Sequence, residues 1–311
     1  MTLSTLRIIS RQSPLAMWQA NYIRDCLLDL HAGLSVEIIG IKTQADRFFD
    51  ASLASMGGKG AFVKELEQAL LSGHAELAVH SMKDVTIDLP DGLSVPVILK
   101  REDARDVFIS NQYASLAELP AQARVGTSSL RRQCQIKARR PDLQLIDIRG
   151  NVDTRLQKLD AGQYDALILA AAGMKRLGFQ ARIRQTLAAS DLLPAIGQGA
   201  LGLEILSANT TVLELIKPLD DVETHSCVAA ERALSKRLNG GCHAPVAACA
   251  EIIGTELSMN ALVGRLDGSE ILKSSVTGPV SEAQQLGDKL GRELLAMGAD
   301  AILQELTDGA S

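Results

Sequence analysis

Short apolar runs alternate with amphipathic stretches along most of the chain. The run at 6–10 predicts a strand, and Ser13-Pro14 after it predicts the N-cap and first residue of a helix that extends to about Leu30. Apolar residues at helical spacing over 62–70 predict a second helix. Further strands are predicted at 36–41, 77–79, 107–110, 124–126, 143–148 and 166–171. This alternation is typical of α/β layers.

The pattern changes from about Val222 onward. The elements predicted there are a helix reaching Arg237, strands at 246–253, 256–263 and 271–276, and a helix over 282–297. This order predicts a separate, small α+β domain. A chain of 311 residues is long for a single core, so more than one domain is expected.

Composition and charge indicate a folded protein with a local anion site. Hydrophobic residues make up 46% of the chain and charged residues 22%. Five cysteines, without CxxC spacing, argue against a disulfide framework and a zinc ribbon, so we expect a reducing compartment and no metal. No leader and no apolar window of membrane-spanning length is evident, which predicts a cytoplasmic protein. The net charge of −5 gives no general attraction to nucleic acid or membrane.

One cysteine stands out for its position. Cys242 follows Gly240-Gly241 and precedes Pro245, so its backbone is free to form a tight turn that does not continue as helix. Such a turn presents a thiol to a partner. The alternative is a buried structural cysteine.

A charged group follows the apolar strand at 77–79. In open α/β sheets ligands bind at the carboxyl ends of strands, so Asp84 is a candidate catalytic residue. Its alternative role is that of a turn aspartate that caps the next element. Lys83 beside it would pair with an anion or be solvated.

Hydroxyl and guanidinium groups cluster after the strand at 124–126. Thr127, Ser128 and Ser129 lead into a helix whose first turn carries Arg131 and Arg132. Free amides, hydroxyls and guanidinium groups at a helix N-terminus form an oxyanion cradle. An ordinary N-cap with solvated arginines is the alternative, but cations are unfavourable at this end of a helix, so we expect a counter-anion. The other basic residues at strand ends are Arg11, Arg149, Arg155 and Arg176.

The recurrence of these groups predicts a polyanion site, and the sequence restricts what binds there. No aromatic residue lies between Tyr113 and Tyr164, which disfavours stacking on single-stranded nucleic acid. Neither a Walker motif nor a strand-linked GxGxxG is present. Cys242-His243 adjacency is weak evidence for a hydrolase. We therefore expect a compact ligand with many carboxylates, and a flexible lid with one cation, Lys59, in the glycine-rich run 57–60.

Several motifs, in one order along nearly the whole chain, resemble the porphobilinogen deaminase (hydroxymethylbilane synthase) family. They are 11–16, 57–60, 79–85, 125–133, 150–156, 197–200 and Gly241-Cys242. The resemblance implies an α/β fold of two periplasmic-binding-protein-like lobes with a small C-terminal α+β domain. The implied division is 1–99 with 200–217, which includes a lid near 42–60, then 100–199, then 218–311.

The resemblance also implies a reaction. Four porphobilinogen molecules would be joined, with loss of ammonia, to a dipyrromethane cofactor held by Cys242 through a thioether, and water would release linear hydroxymethylbilane. Asp84 would stabilise positive charge on the pyrrole rings. Each ring carries an acetate and a propionate, so the arginines would bind a polyanion. The family is typically monomeric.

The carried-over roles divide the candidate residues into two groups. Those implied for the cofactor, besides Cys242, are Ser81, Lys83, Asp84, Thr127, Ser128, Ser129, Arg131, Arg132, Arg149, Gly150 and Arg155. Those implied for the incoming substrate are Arg11, Ser13, Gln19, Arg149, Arg155, Arg176 and Gln198, with Lys59 on the lid. The chain departs from the family pattern at Gln44-Ala45, Thr86 and His243-Ala244. The competing hypothesis is a non-catalytic two-lobed binding protein for a small polycarboxylate.

Overall fold

The structure is a computed structural model and describes residues 4–42, 63–239 and 244–308. The strands are β1 (Thr5–Arg11), β2 (Ser35–Ile41), β3 (Leu77–Ser81), β4 (Leu93–Ile98), β5 (Asp106–Ile109), β6 (Arg124–Gly126), β7 (Gln144–Ile146), β8 (Ala166–Ala170), β9 (Gln185–Thr186), β10 (Leu201–Leu206), β11 (Val246–Ile253), β12 (Glu256–Gly264) and β13 (Ile271–Pro279). The helices are α1 (Pro14–Leu30), α2 (Lys64–Leu71), α3 (Leu130–Arg139), α4 (Val152–Asp160), α5 (Ala171–Arg176), α6 (Thr210–Ile216), α7 (Val222–Arg237), α8 (Ala283–Ala296) and α9 (Ala299–Asp308). Short 3₁₀ turns cover Met82–Asp84, Gln180–Arg182, Lys217–Leu219 and Val280–Glu282.

The chain forms two compact units, of which the first comprises Met1–Arg101 and Ala200–His225. Its sheet has the strand order β2-β1-β3-β10-β4. Strand β1 runs parallel to β2 and β3, whereas β10 is antiparallel to β3 and β4. The apolar faces of this sheet pack against α1 on one side and α2 on the other. The carboxyl ends of β1 and β3 therefore lie at one edge.

The second unit comprises Glu102–Gly199 and Ser226–Ser311 and contains two sheets. The larger sheet has the order β7-β6-β8-β5-β9, with β6 parallel to β7 and β8 and β5 antiparallel to β8 and β9. This is the arrangement of the first unit's sheet: three parallel strands flanked by an antiparallel one. The carboxyl ends of β6, β7 and β8 again share an edge.

The smaller sheet, β11-β12-β13, is an antiparallel meander. One face packs on α7, α8 and α9 around fully buried side chains such as Leu234, Leu257 and Leu290. The other face contributes Ala247 and Leu262 to a small core with Cys134 of α3. The chain is thus mixed α/β with two sheet lobes and a small C-terminal α+β domain, and the predicted fold class is confirmed. The predicted domain limits stay a prediction.

Local sequence signals predict some elements well and others poorly. Ser13 caps α1 as predicted, since its hydroxyl accepts a hydrogen bond from the amide of Ala16 at 3.3 Å. The strand predicted over 143–148 is shorter, because the chain leaves the sheet after Ile146. Strands β4, β9 and β10 and helix α9 were not predicted. Strand β4 pairs with β10, more than a hundred residues away, and no local pattern encodes that pairing.

The turn between β12 and β13 generates a stability prediction. Gly268 has φ +77°, and a Cβ there would lie 2.2 Å from the backbone nitrogen of Ala138 at the end of α3. Gly254 has φ +64° with nothing within 4 Å of its Cβ position. Both glycine-to-alanine substitutions therefore incur left-handed strain, about 1–2 kcal/mol. Only Gly268→Ala adds overpacking, about 1–3 kcal/mol.

We expect Gly268→Ala to lower the free energy of unfolding in urea by more than the matched control Gly254→Ala does. Equal losses in the two variants would contradict the close packing of this turn on α3.

Candidate functional site

The polar edge of the first sheet brings predicted substrate and cofactor residues together. Arg11 ends β1 and Ser81 ends β3, which lie side by side. Gln19, buried on α1, donates its Nε2–H to the hydroxyl of Ser81 at 2.9 Å. Ser13, at the start of the same helix, is the N-cap. The structure therefore joins α1 to the end of β3 through the Gln19–Ser81 hydrogen bond.

Asp84 lies in the 3₁₀ turn that directly follows β3. Its side chain and that of Lys83 are half-buried. The turn is anchored by Met82, which is buried and donates its backbone N–H to the carbonyl of Ala200 at 3.0 Å. The backbone at Asp84 is therefore anchored, while its half-buried carboxylate remains partly accessible.

A buried side-chain contact that sequence reasoning missed joins β3 to β10. Nε2 of His80 is 2.8 Å from Oε2 of Glu204 on β10, and both side chains are buried. Burial, together with the charge of Glu204, raises the pKa of Glu67 on α2. Since neighbouring strand residues point to opposite faces, His80 lies on the other face of the sheet from Ser81. Its partner is 124 residues away in sequence, so no local signal was available.

We call the part of the chain that contains the sheet β7-β6-β8-β5-β9 the second lobe. At the edge of this sheet, the loops after β6 and β7 are joined by hydrogen bonds. The Ser128 hydroxyl donates to the carbonyl of Ile148 at 2.8 Å and accepts from the Ile148 amide at 2.9 Å. The Thr127 amide donates to the carbonyl of Ile146 at 3.0 Å, and the Thr127 hydroxyl accepts from the Ser129 amide at 3.3 Å. The predicted hydroxyl cluster is therefore ordered by its own backbone contacts.

Arg131 and Arg132 have a counter-anion inside the protein. Both guanidinium groups are buried against Asp106 of β5, with N–O distances of 2.8 Å and 2.7 Å. Burial by itself would raise the pKa of Asp106, but the two charges hold it well below its ordinary value. The expectation that these arginines require a ligand as counter-anion is thus wrong, although two cations sharing one carboxylate leave one net positive charge.

Sequence reasoning missed Asp106 itself. The residue directly precedes the apolar run that became β5, and an aspartate at the start of a buried strand was the available signal. Gln198, predicted for substrate, is buried and donates its Nε2–H to the same carboxylate at 2.9 Å.

Two of the other predicted arginines, Arg155 and Arg176, contact the backbone of their own unit, and a third, Arg149, lies near an aspartate. Arg155 donates from Nε to the carbonyl of Gly150 at 2.8 Å, and Arg176 donates to the carbonyl of Gly199 at 2.7 Å. Arg149 is half-buried, with a guanidinium nitrogen 4.0 Å from Asp147. These side chains lie at the end of α5 and around the start of α4, beside the strand ends.

The cysteine and lid lysine that the sequence singled out, Cys242 and Lys59, lie outside the described residues, as do Gln44, Ala45 and His243. The described chain reaches Asn239, just beyond α7, and resumes at Ala244, just before β11.

Comparison with protein families decides the identity. Residues 6–214 match the model described as porphobilinogen deaminase, dipyromethane cofactor binding domain, and residues 225–296 match the porphobilinogen deaminase C-terminal domain. The chain belongs to the porphobilinogen deaminase family. It is a transferase that makes hydroxymethylbilane from porphobilinogen in tetrapyrrole biosynthesis, and its cofactor is a dipyrromethane. The match favours this enzyme over a non-catalytic binding protein.

Solved structures similar to this chain include binding proteins of low sequence identity. A mutant VFT2 domain of Bordetella pertussis BvgS is 18% identical, with 74% of this chain and 92% of that chain covered and a TM-score of 0.43. The aliphatic sulphonate binding protein SsuA from Escherichia coli is 14% identical, with 76% and 71% covered and a TM-score of 0.42. A nutrient binding protein from Burkholderia cenocepacia bound to methionine is 11% identical, with 76% and 97% covered and a TM-score of 0.44. Similarity at this level carries no functional argument.

The described helices include none that is long and apolar enough to cross a membrane.

The residues of the second lobe fit a dipyrromethane. Two pyrrole rings that each carry an acetate and a propionate present carboxylates, which favour guanidinium and hydroxyl donors. The Asp106 cluster retains one net positive charge. Arg149 and Arg155 add two more cations near the shared edge of β6 and β7.

Removal of the Asp106 charge should destabilise the protein. Asp106→Asn leaves two buried guanidinium groups without a counter-charge, which costs about 3–5 kcal/mol. Asp191→Asn is the control, because its pair with Arg139 is about half exposed, with side chains 50% and 46% accessible, and such pairs contribute at most about 1 kcal/mol. Urea unfolding at pH 7 measures both.

The difference in the free energy of unfolding between the parent and Asp106→Asn should become smaller as the pH is lowered. The pKa of Asp106 is lowered in the folded state, so its stabilisation is complete above the unfolded pKa of about 4 and is lost as pH falls toward the folded value. If the two free energies of unfolding differ little at pH 7, or differ more at low pH, Asp106 is not the buried counter-charge of the two arginines.

Proposed function

We propose that Asp84 is the catalytic residue of this hydroxymethylbilane synthase. We also propose that the arginines of the second lobe bind the carboxylates of the dipyrromethane cofactor, which serves as the primer, and those of the growing chain. The observation that carries the proposal is the family match over 6–214 and 225–296, combined with the positions of these residues beside strand ends.

Asp84 is suited to stabilise a cation. When a porphobilinogen loses ammonia, positive charge develops on its pyrrole ring. A carboxylate carried on an anchored turn would stabilise such charge with little reorganisation of the backbone at the moment of reaction. Anchoring by the buried Met82 supports this role.

The arginines are suited to hold a polyanion. Guanidinium groups bind carboxylates with two parallel hydrogen bonds. Arg149 and Arg155 would serve the primer and the incoming ring, with Arg131, Arg132, Thr127, Ser128, Ser129 and Gly150 on the primer side. In the first unit, Ser81 and Lys83 would contact the primer, whereas Arg11, Ser13 and Gln19 would contact the incoming ring, as would Arg176 and Gln198 of the second unit.

The thiol of Cys242 would hold the dipyrromethane through a thioether. When bound, this group supplies the free pyrrole carbon to which porphobilinogen units are joined. Lys59 would act on a lid. We also propose a cytoplasmic monomer whose domains are 1–99 with 200–217, 100–199 and 218–311.

Asp84→Asn tests the catalytic assignment. We expect the variant to fold, to carry the dipyrromethane by intact mass, and to lose turnover of porphobilinogen about 10²–10³-fold, as when a preorganised charge-stabilising group is removed. Asp91→Asn is the control, since Asp91 is an exposed carboxylate of the same unit.

The control should retain turnover within about twofold. Near-normal turnover in Asp84→Asn would reject the charge-stabilising role. Equal losses of turnover in Asp84→Asn and Asp91→Asn would show that the effect is not specific to Asp84.

A further inference from the structure

In the segment 147–150, which leaves β7, all four carbonyl groups accept a hydrogen bond from a side chain. The segment belongs to neither a strand nor a helix. The pairs are Tyr164 Oη to Asp147 O at 2.9 Å, Ser128 Oγ to Ile148 O at 2.8 Å, Lys158 Nζ to Arg149 O at 3.1 Å and Arg155 Nε to Gly150 O at 2.8 Å. We call these four donors the carbonyl clamp. Its members come from the loop after β6, from α4 and from the residues before β8.

The carbonyl clamp controls the direction of the peptide groups. A peptide unit is planar and trans, so its N–H points opposite to its C=O. Fixing the carbonyls of 147–150 toward the four donors therefore turns the amides of Arg149, Gly150 and Asn151 the other way. Carbonyl oxygens facing a carboxylate would repel it, whereas amides at a helix N-terminus attract it. Asn151 is the N-cap residue of α4.

The ring of Tyr164 packs against the end of β6. Its ring lies against Gly126, where a Cβ would be 3.0 Å and 3.2 Å from two ring carbons. Burial, with the nearby charge of Asp147, raises the pKa of Tyr164, so the hydroxyl remains a donor. The side chain thus connects the end of β6 to the start of the segment.

We propose that Tyr164 and Lys158 are positioning residues for the primer site: through the carbonyls of Asp147 and Arg149 they fix how 147–150 presents its amides and the Arg149 side chain to carboxylates. Neither residue was singled out by the sequence or by the family resemblance. The inference rests on the proposed function, because it assumes that Arg149 binds carboxylates.

Two conservative variants remove single donors. Tyr164→Phe keeps the ring against Gly126 and loses only the bond to Asp147 O. Lys158→Met keeps the aliphatic stem and loses the bond to Arg149 O. We expect each to raise KM for porphobilinogen about fivefold, the equivalent of one lost hydrogen bond, with kcat within twofold. We also expect intact mass to show a smaller fraction of protein carrying the primer.

Matched controls separate positioning from stability. Lys137 donates to the carbonyls of Pro141 and Leu143 in the same lobe, at 3.1 Å and 2.7 Å, so Lys137→Met also removes carbonyl bonds. Tyr113 packs in that lobe, and its hydroxyl makes no hydrogen bond to the described part of the chain, so Tyr113→Phe controls for hydroxyl loss. Both controls should keep the parent's KM for porphobilinogen and the parent's fraction of protein that carries the primer, which we call the primer load.

The outcomes distinguish this inference from the proposed function. If Tyr164→Phe and Lys158→Met keep the parent's KM and primer load, whether or not their urea midpoints fall, the positioning role is overturned and the proposed function stands. If the parent itself neither carries a primer nor consumes porphobilinogen, the proposed function is overturned, and this inference with it.

Discussion

A single buried carboxylate holds the polar interior of the second lobe together. Asp106 of β5 binds Arg131 and Arg132 of α3 and the side-chain amide of Gln198, which lies just before β10. Burial opposes a charged carboxylate, but the two adjacent cations and the hydrogen bonds from Arg132 and Gln198 hold the pKa of Asp106 below its ordinary value. The two arginines and this one carboxylate together carry one net positive charge, which is the charge that the proposed function assigns to binding an anionic ligand.

The edges where ligands are proposed to bind are ordered by side chains that satisfy backbone and side-chain polar groups. In the first unit, Gln19 fixes the hydroxyl of Ser81. In the second, Ser128 connects the loops after β6 and β7. Buried polar groups need such partners because unpaired ones are costly. A chain of net charge −5 therefore still presents local cations whose positions are set by their neighbours, and the proposed function depends on those positions rather than on the overall charge.

Features that depend on neighbouring residues were predictable from the sequence, and features that depend on distant ones were not. The Ser13 cap, the strand before Ser81 and the helix beginning after Ser129 follow from local patterns. Two contacts could be identified only in the folded chain. One is between Asp106 and the two arginines, and the other is between His80 and Glu204, which long-range strand pairing brings together. The end of β7 was misplaced because side-chain donors, not strand neighbours, take the carbonyls that follow it.

The intact mass of the denatured protein tests most directly that Cys242 anchors a covalent dipyrromethane, because a thioether survives unfolding. The parent is expected to exceed its sequence mass by one dipyrromethane, Cys242→Ser to match its sequence mass, and the control Cys249→Ser to retain the addition. A parent that stays unmodified after incubation with porphobilinogen, or a Cys242→Ser variant that keeps the added mass, would contradict the assignment.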